Sequence, residues 1–200
     1  MKGRRVRRPH EITSNRETVH DRKYQRAKWH DYAGGIYFIT FCTKGMIQYF
    51  GHVDRQVMYH SPIGRYLCEQ IEQLSQHYAY CRVLRYVVMP NHVHLLVYID
   101  SEKVSEKKRT QQIFQSIDSS QNTSTFHRQI ALTQSWVSVV LGGLKSAVTR
   151  YAHQAGLSIQ WQRSFHDHIV RNHDEYDKIA QYIATNPQRW ERDIYNRQQR

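Results

Sequence analysis

Hydrophobic residues along the chain follow two different periodicities, which together predict a sheet flanked by helices. Four runs of β-branched and aromatic residues predict strands, at 36–42, 80–88, 92–99 and 159–171. Three stretches with apolar residues at helical spacing predict helices, at 62–77, 132–156 and 172–186, and the segment between the first strand and the first helix predicts a loop. Ser61 is the expected cap of the first helix and Asn172 or Asp174 that of the last, which should end at Asn186 because Pro187 disfavours helical geometry there. The first six elements follow the order of a split β-α-β arrangement, so we predict an α+β fold. Its sheet is antiparallel, with helices on one face and an extra C-terminal helix.

Two polar segments lie outside this pattern. Residues 1–30 are rich in Arg, Lys and His and contain few aliphatic side chains, which predicts an extended basic N-terminal arm. The segment from about 100 to 131 is polar and lacks periodicity, which predicts a flexible insertion. A chain of 200 residues provides one good core. We therefore predict a single domain over residues 31–195, followed by a short tail at 196–200.

The composition indicates a nucleic-acid partner. The formal net charge is +12 and the isoelectric point is about 9.8, so the protein attracts polyanions. Fourteen Tyr, four Trp and six Phe residues offer rings on which unpaired bases can stack. A generically basic protein with no such partner is the alternative interpretation.

Cysteine usage and hydropathy favour a cytoplasmic protein. The three cysteines are far apart and lack the spacing of a metal knuckle, which is typical of reduced thiols. No run reaches the ~18 to 20 apolar residues of a membrane span, and the start MKGRRVRRPH lacks the apolar segment of a signal peptide. We therefore expect no membrane partner.

The stretch VVMPNHVHLLVY at 87–98 carries the candidate chemistry. Alternate residues of a strand share a face, so His92 and His94 project side by side while Val93 and Leu95 face the core. Two imidazoles on one face suit a divalent metal that activates a phosphodiester. The alternative is a histidine pair on a half-solvated strand.

Tyr182 and Asn186 lie one turn apart on one flank of the last helix. A metal held by the two histidines and the Asn186 side-chain oxygen would polarise a phosphate that the Tyr182 phenol attacks. Nitrogen and neutral oxygen ligands accommodate Mn²⁺ and, less well, Mg²⁺, and zinc stays open. Ordinary polarity at a helix end is the alternative explanation of this pair.

Five segments together resemble a known family. VVMPNHVHLLV closely resembles the HUH motif (His, hydrophobic, His) of the single-tyrosine transposases, and YIATNP followed by RW resembles the tyrosine helix of their REP-associated branch. The first strand, second helix and pre-tyrosine strand of that family are similar to GIYFITFCTK, LGGLKSAVTRY and WQRSFHDHIVRN. The resemblance spans residues 33 to 195 in order.

The resemblance implies a ferredoxin-like fold and an enzyme that cleaves and rejoins single-stranded DNA beside hairpin repeats. The reaction leaves a 5′-phosphotyrosine and a free 3′-OH. His92, His94 and Asn186 are then ligands of Mg²⁺ or Mn²⁺, and Tyr182 is the nucleophile. Monomer and homodimer both stay open, and the place of action would be the nucleoid of a prokaryote.

Basic residues are candidates for contacts with the DNA. Residues predicted to contact DNA phosphates are basic, namely Lys145, Arg150, Arg163, Arg189, Arg4 and Arg5.

His166 and His168 form a second pair for which we favour a structural or DNA-contact role, and Tyr176 is a rival nucleophile better explained by core packing. The alternative functions are a rolling-circle-type nickase and a catalytically silent regulator that binds DNA hairpins.

Overall fold

A four-stranded antiparallel sheet forms the centre of the computed structural model, which describes residues 34–107 and 135–196. Its strands are β1 (Gly35–Thr43), β4 (Cys81–Val88), β5 (His92–Ile99) and β6 (Trp161–Val170). They lie in the order β4-β5-β1-β6. A separate hairpin consists of β2 (Gly51–Asp54) and β3 (Val57–His60).

Helices lie between the strands of the sheet and after the last of them. They are α1 (Pro62–Glu72), α2 (Leu74–His77), α3 (101–107), α4 (Trp136–Gln154) and α5 (His173–Ala184). The connection from β1 to β4 contains α1, and the connection from β5 to β6 contains α4. In both cases a third strand lies between the two that are connected. The predicted α+β fold with two interleaved split β-α-β units is confirmed, and it is the ferredoxin-like arrangement.

One face of the sheet packs against α1 and α4. Ile39 lies opposite Leu95 and Phe41 lies opposite Val93, so these side chains project from the same face. They join a buried apolar cluster with residues of both helices, among them Leu144. A Cβ atom on Gly143 would lie 1.9 Å from the Tyr78 hydroxyl oxygen. Glycine has a low helix propensity, but Gly143 allows α4 to pack closely against Tyr78.

The predicted caps of the helices are confirmed. Ser61 Oγ accepts from the Gly64 amide at 3.0 Å, and Asn172 Oδ1 accepts from the Glu175 amide at 2.9 Å. The helix predicted over 62–77 is broken at Gln73, so the chain forms α1 and then α2.

The end of α5 differs from the prediction. The helix ends at Ala184, close to the predicted end at Asn186. Pro187 was expected to disfavour helical geometry at Asn186, yet Asn186 has φ −62° and ψ −44°. Its carbonyl accepts from the Arg189 amide at 3.0 Å, and a 3₁₀ helix follows over Pro187–Arg192. The expectation was wrong because Asn186 begins this second helical turn.

Two stretches that the sequence pattern left unstructured contain regular elements. The loop predicted after the first strand contains β2 and β3, joined by Arg55 and Gln56 with positive φ values of 46° and 66°. This is the geometry of a tight hairpin turn, here without the Asn-Gly signature. Residues 101–107 of the predicted flexible insertion are helical and bury Val104. The remainder of that insertion, the basic arm at 1–30 and the last four residues lie outside the described residues.

None of the helices within residues 34–107 and 135–196 combines the length and the apolar character needed to cross a membrane.

Candidate active site

The second face of the sheet brings the two histidines to α5. His94 pairs with Thr40 and His92 with Cys42 across β5 and β1, so both imidazoles project away from α1 and α4. Both are buried, with 0% exposure for His92 and 2% for His94. Their ring centroids are 4.7 Å apart. The predicted side-by-side arrangement is confirmed, whereas the half-solvated alternative is wrong.

Asn91 fixes the orientation of His92. Its Nδ2 donates to the carbonyl oxygens of Met46 at 3.0 Å and Tyr195 at 2.7 Å. Two carbonyl acceptors define which amide atom is nitrogen, so Oδ1 is the atom 2.9 Å from His92 Nδ1. An amide oxygen can only accept, and His92 Nδ1 must therefore carry the proton. The lone pair of His92 then lies on Nε2, which is buried and has no hydrogen-bond partner in the part of the chain that the structure describes.

Burial keeps both imidazoles neutral. It lowers the pKa of His92 well below its usual range, and the neighbouring His94 lowers it further. Burial also lowers the pKa of His94 to about 3, with a smaller contribution from His166. A neutral imidazole is the form that binds a metal ion.

Tyr182 reaches the histidine pair from α5. Its hydroxyl lies 3.3 Å from His94 Nε2, and its ring packs edge-on against Phe38. Burial raises the pKa of Tyr182, and the negative charge of Asp193 raises it further. The Asn186 amide and the Arg189 guanidinium act in the opposite direction. The tyrosine is therefore held as a neutral phenol beside the imidazoles.

Asn186 lies beneath Tyr182 and is fully buried. Neither its Oδ1 nor its Nδ2 forms a hydrogen bond of good geometry within the described residues, although the amide lies close enough to Tyr182 to lower the pKa of the phenol. Buried polar groups without partners are rare, because each costs about 1–3 kcal/mol of stability. His92 Nε2 is likewise a buried polar atom without a hydrogen-bond partner among the described residues.

These buried atoms fit a divalent ion. His92 Nε2 and Asn186 Oδ1 offer lone pairs, and His94 Nε2 offers a third if the Thr40 hydroxyl accepts from His94 Nδ1 at 2.7 Å. Such a second-sphere bond fixes the tautomer of a metal-binding histidine. Within the described parts of the chain, no group of three or more His, Cys, Asp or Glu side chains is arranged to hold a metal. A metal ion at this place would therefore need the Asn186 amide as its third ligand.

Aromatic residues of the C-terminal segment cover His92. The Tyr195 ring lies 4.3 Å and the Trp190 ring 6.0 Å from the imidazole, measured between centroids. Sequence reasoning missed Asn91, Trp190 and Tyr195 as site residues. Asn91 directly precedes the first histidine, which is the signal that could have found it, and the two aromatics arrive only through the fold.

The structure separates the predicted basic residues into different places. Arg189 lies beside Tyr182 and Arg163 is exposed on β6. Lys145 and Arg150 line a common cleft on α4, on the other side of the sheet. Arg4 and Arg5 lie outside the described residues, so their predicted DNA contacts stay predictions.

The rival residues have other surroundings. His168 Nε2 lies 2.7 Å from Glu175 Oε1, which ties β6 to the first turn of α5. His166 and His168 face the same side of the sheet as the candidate ligands, because they pair with Thr40 and Phe38. Tyr176 is half-buried with its ring beside His173. Tyr182, and not Tyr176, is thus the tyrosine of α5 that contacts His94.

No protein-family model matches the chain. A Haemophilus influenzae (strain Rd) protein of uncharacterised function is 29% identical over 181 residues, which is 88% of this chain and 93% of the relative.

Two solved structures are similar. A REP-associated tyrosine transposase bound to a REP hairpin has a TM-score of 0.49 and 18% identity, over 78% of this chain and 68% of that one. A candidate transposase from Deinococcus radiodurans R1 has a TM-score of 0.36 and 17% identity, over 80% and 95%. The chain resembles REP-associated tyrosine transposases. Similarities this remote transfer no activity to the chain.

Proposed function

We propose that the protein is a metal-dependent DNA strand transferase that cleaves and rejoins single-stranded DNA through Tyr182. The observation that carries this proposal is the Tyr182 hydroxyl, 3.3 Å from His94 Nε2, beside a buried set of orphaned metal-binding atoms. A neutral phenol against two neutral imidazoles and a buried amide is costly for stability, whereas it suits phosphoryl transfer.

Each residue of the site has its own role in the proposed reaction. The Tyr182 oxygen attacks phosphorus as its proton passes to solvent, and the bond from phosphorus to the 3′ oxygen breaks as that oxygen takes up a proton from water. The products are a 5′-phosphotyrosine and a free 3′-OH, and attack by a 3′-OH on the phosphotyrosine reverses the step. With no metal bound, His94 Nε2 can accept a hydrogen bond from the phenol; a metal-bound His94 would no longer do so, which would leave the hydroxyl free to attack. Arg189 lies close enough to Tyr182 to favour its ionised form.

His92, His94 and Asn186 would hold the divalent ion. When bound, Mn²⁺ or Mg²⁺ supplies positive charge that polarises the phosphate and favours ionisation of the phenol. Asn91 leaves the lone pair of His92 on Nε2 for this purpose, and Thr40 leaves that of His94 on Nε2 when its hydroxyl accepts from His94 Nδ1.

DNA is the polyanion that fits best. A net charge of +12 attracts a phosphate backbone, and Arg189 places one positive charge near Tyr182. The sequence resemblance supports single-stranded DNA beside hairpin repeats as the substrate.

The test is incubation of labelled single-stranded DNA with the purified protein and Mn²⁺, followed by a denaturing gel. The DNA carries an imperfect hairpin and unpaired flanks. Cleavage and a covalent protein-DNA adduct are expected with the wild type and with Tyr176→Phe, which is the matched control on the same helix. Both products should disappear with Tyr182→Phe and with EDTA.

Binding without cleavage or adduct, over several hairpins and with both metals, would overturn the proposal in favour of a hairpin-binding regulator. An adduct that persists in Tyr182→Phe would reject this residue as the nucleophile.

A further inference from the structure

A cleft outside the tyrosine site lies between α4 and the first residue of β6. It has a volume of about 410 Å³. Its lining consists of Lys145, Ser146, Thr149, Arg150, His153 and Trp161. This volume falls within the roughly 300–1,000 Å³ of small-molecule sites. Since none of the lining residues is acidic, the cleft favours an anionic ligand.

Trp161 is held rigidly in this cleft. Its Nε1 donates to Thr149 Oγ1 at 3.0 Å. Its ring packs on Phe41 and Phe50, with centroid distances of 5.7 and 5.6 Å. An indole fixed from behind by two rings is a platform on which a base can stack with little loss of side-chain entropy.

Lys145 is also held in place. Its Nζ donates to the Gln162 carbonyl at 3.2 Å and lies 5.5 Å from the ring centroids of both Phe41 and Trp161. No carboxylate forms an ion pair with Lys145 among residues 34–107 and 135–196. Arg150, which lies further along α4 towards its C-terminus, is exposed at the same cleft. Two positive charges beside a fixed indole match the phosphate and the base of a nucleotide.

The cleft and the tyrosine site lie at the same end of β1. The charge of Lys145 acts on the Cys42 thiol, and Cys42 is the residue that pairs with His92. Phe41 and Cys42 are consecutive strand residues and project from opposite faces. A single strand passing around this end of the sheet would therefore meet both sites.

We propose that the cleft binds one unpaired nucleotide of the DNA substrate, with the base against Trp161 and the phosphate on Lys145 and Arg150. The proposal deepens the proposed function and rests on it, because DNA is the assumed substrate. The cleft would hold the strand on one face of the sheet while the scissile phosphate lies at Tyr182 on the other.

The test measures DNA affinity in EDTA by fluorescence anisotropy. One DNA is a hairpin with an unpaired extension, and the other is the same hairpin with blunt ends. Arg150→Gln and Lys145→Gln should each weaken binding of the extended hairpin about tenfold. Each should also lower the salt slope by about 0.7, the value for one contact to a single strand. Binding of the blunt hairpin should not change.

Arg85→Gln is the matched control. Arg85 is an exposed arginine on β4, at the opposite edge of the sheet from β6. Its loss should change the affinity for the extended hairpin less than twofold. Lys145→Arg should retain binding, which separates the role of the charge from any packing defect in Lys145→Gln.

A second measurement locates the nucleotide. Single 2-aminopurine substitutions along the extension report stacking by loss of fluorescence. One position should be quenched by the wild type and recover with Arg150→Gln. Inorganic phosphate should compete poorly, because a free anion lacks the base.

Three results would overturn the proposal. These are unchanged affinity in Arg150→Gln and Lys145→Gln, equal losses for blunt and extended hairpins, and competition by inorganic phosphate that matches a mononucleotide. Binding in EDTA does not require cleavage. Cleft-dependent binding without cleavage in Mn²⁺ would therefore refute the transferase function and leave the nucleotide site intact.

Discussion

The two faces of the sheet bury different kinds of side chain. The face towards α1 and α4 buries aliphatic and aromatic residues such as Ile39 and Leu95, which together form the main apolar cluster. The face towards α5 buries imidazoles and amides as well. Its buried polar residues are Thr40, Asn91, His92, His94 and Asn186.

The difference separates stability from chemistry. Apolar burial contributes about 25 cal/mol per Å², so the first face stabilises the fold. The orphaned atoms of His92 and Asn186 instead cost stability on the second face. Substitutions on the first face should therefore unfold the protein, whereas substitutions on the second should abolish activity in a folded protein.

Tyr182→Phe should give the largest separation. Loss of a nucleophile is expected to lower the cleavage rate by at least about 10⁴-fold. The lost hydrogen bond to His94 spans 3.3 Å, so the free energy of unfolding should change by less than about 1 kcal/mol. Single-turnover cleavage in Mn²⁺ and urea denaturation measure the two quantities. A variant that fails to fold would contradict the division between the faces.

Leu95→Ala should show the opposite behaviour. Leu95 is fully buried in the main apolar cluster, so its truncation should cost about 2–5 kcal/mol of stability. Leu157 is 43% exposed after α4, and Leu157→Ala should cost less than about 0.5 kcal/mol. Thermal denaturation compares the two. At a temperature where Leu95→Ala is still folded, its cleavage rate should equal that of the wild type.

Asn91→Ala tests whether the orientation of His92 matters. Loss of the oxygen that accepts from His92 Nδ1 should lower metal affinity or activity about 10- to 100-fold. Asn91→Asp keeps an acceptor for His92 and loses the donor to the Met46 and Tyr195 carbonyls. The aspartate variant should therefore be destabilised yet keep more of its activity. Titration of cleavage with Mn²⁺ distinguishes the variants, and equal apparent metal affinities would disprove the orienting role.

Substitutions of the two adjacent glycines of α4 should have the smallest effect on stability. They also form the most closely matched pair of variants. A Cβ on Gly142 meets no atom within 4 Å, so Gly142→Ala should stabilise the protein by about 0.5–1 kcal/mol. A Cβ on Gly143 would collide with the Tyr78 hydroxyl, so Gly143→Ala should be less stable than Gly142→Ala. Urea denaturation of both variants is the measurement. Equal stabilisation would show that Tyr78 moves aside freely.

Much of the fold followed from local patterns. The strands, the long helices and their caps at Ser61 and Asn172 are encoded by residues close together in sequence, so periodicity and capping chemistry found them. The hairpin of β2 and β3 was missed because Arg55 and Gln56 are atypical residues for a turn with two positive φ values. Helix 101–107 was missed because its polar sequence has a single deeply buried residue, Val104.

The sequence by itself determined which side chains share a face. Strand alternation places His92 beside His94, and helical spacing places Tyr182 one turn from Asn186. These relations are local, because each depends on the geometry of one element.

Only the tertiary structure decided that the two pairs meet. Packing of α5 across β4 and β5 brings the Tyr182 hydroxyl to His94, and the chain after Asn186 brings Tyr195 over His92. Asn91 gains its role in the same way, because the carbonyls of Met46 and Tyr195 fix its amide. Contacts between residues so distant in sequence arise when whole elements pack, and no local periodicity encodes them.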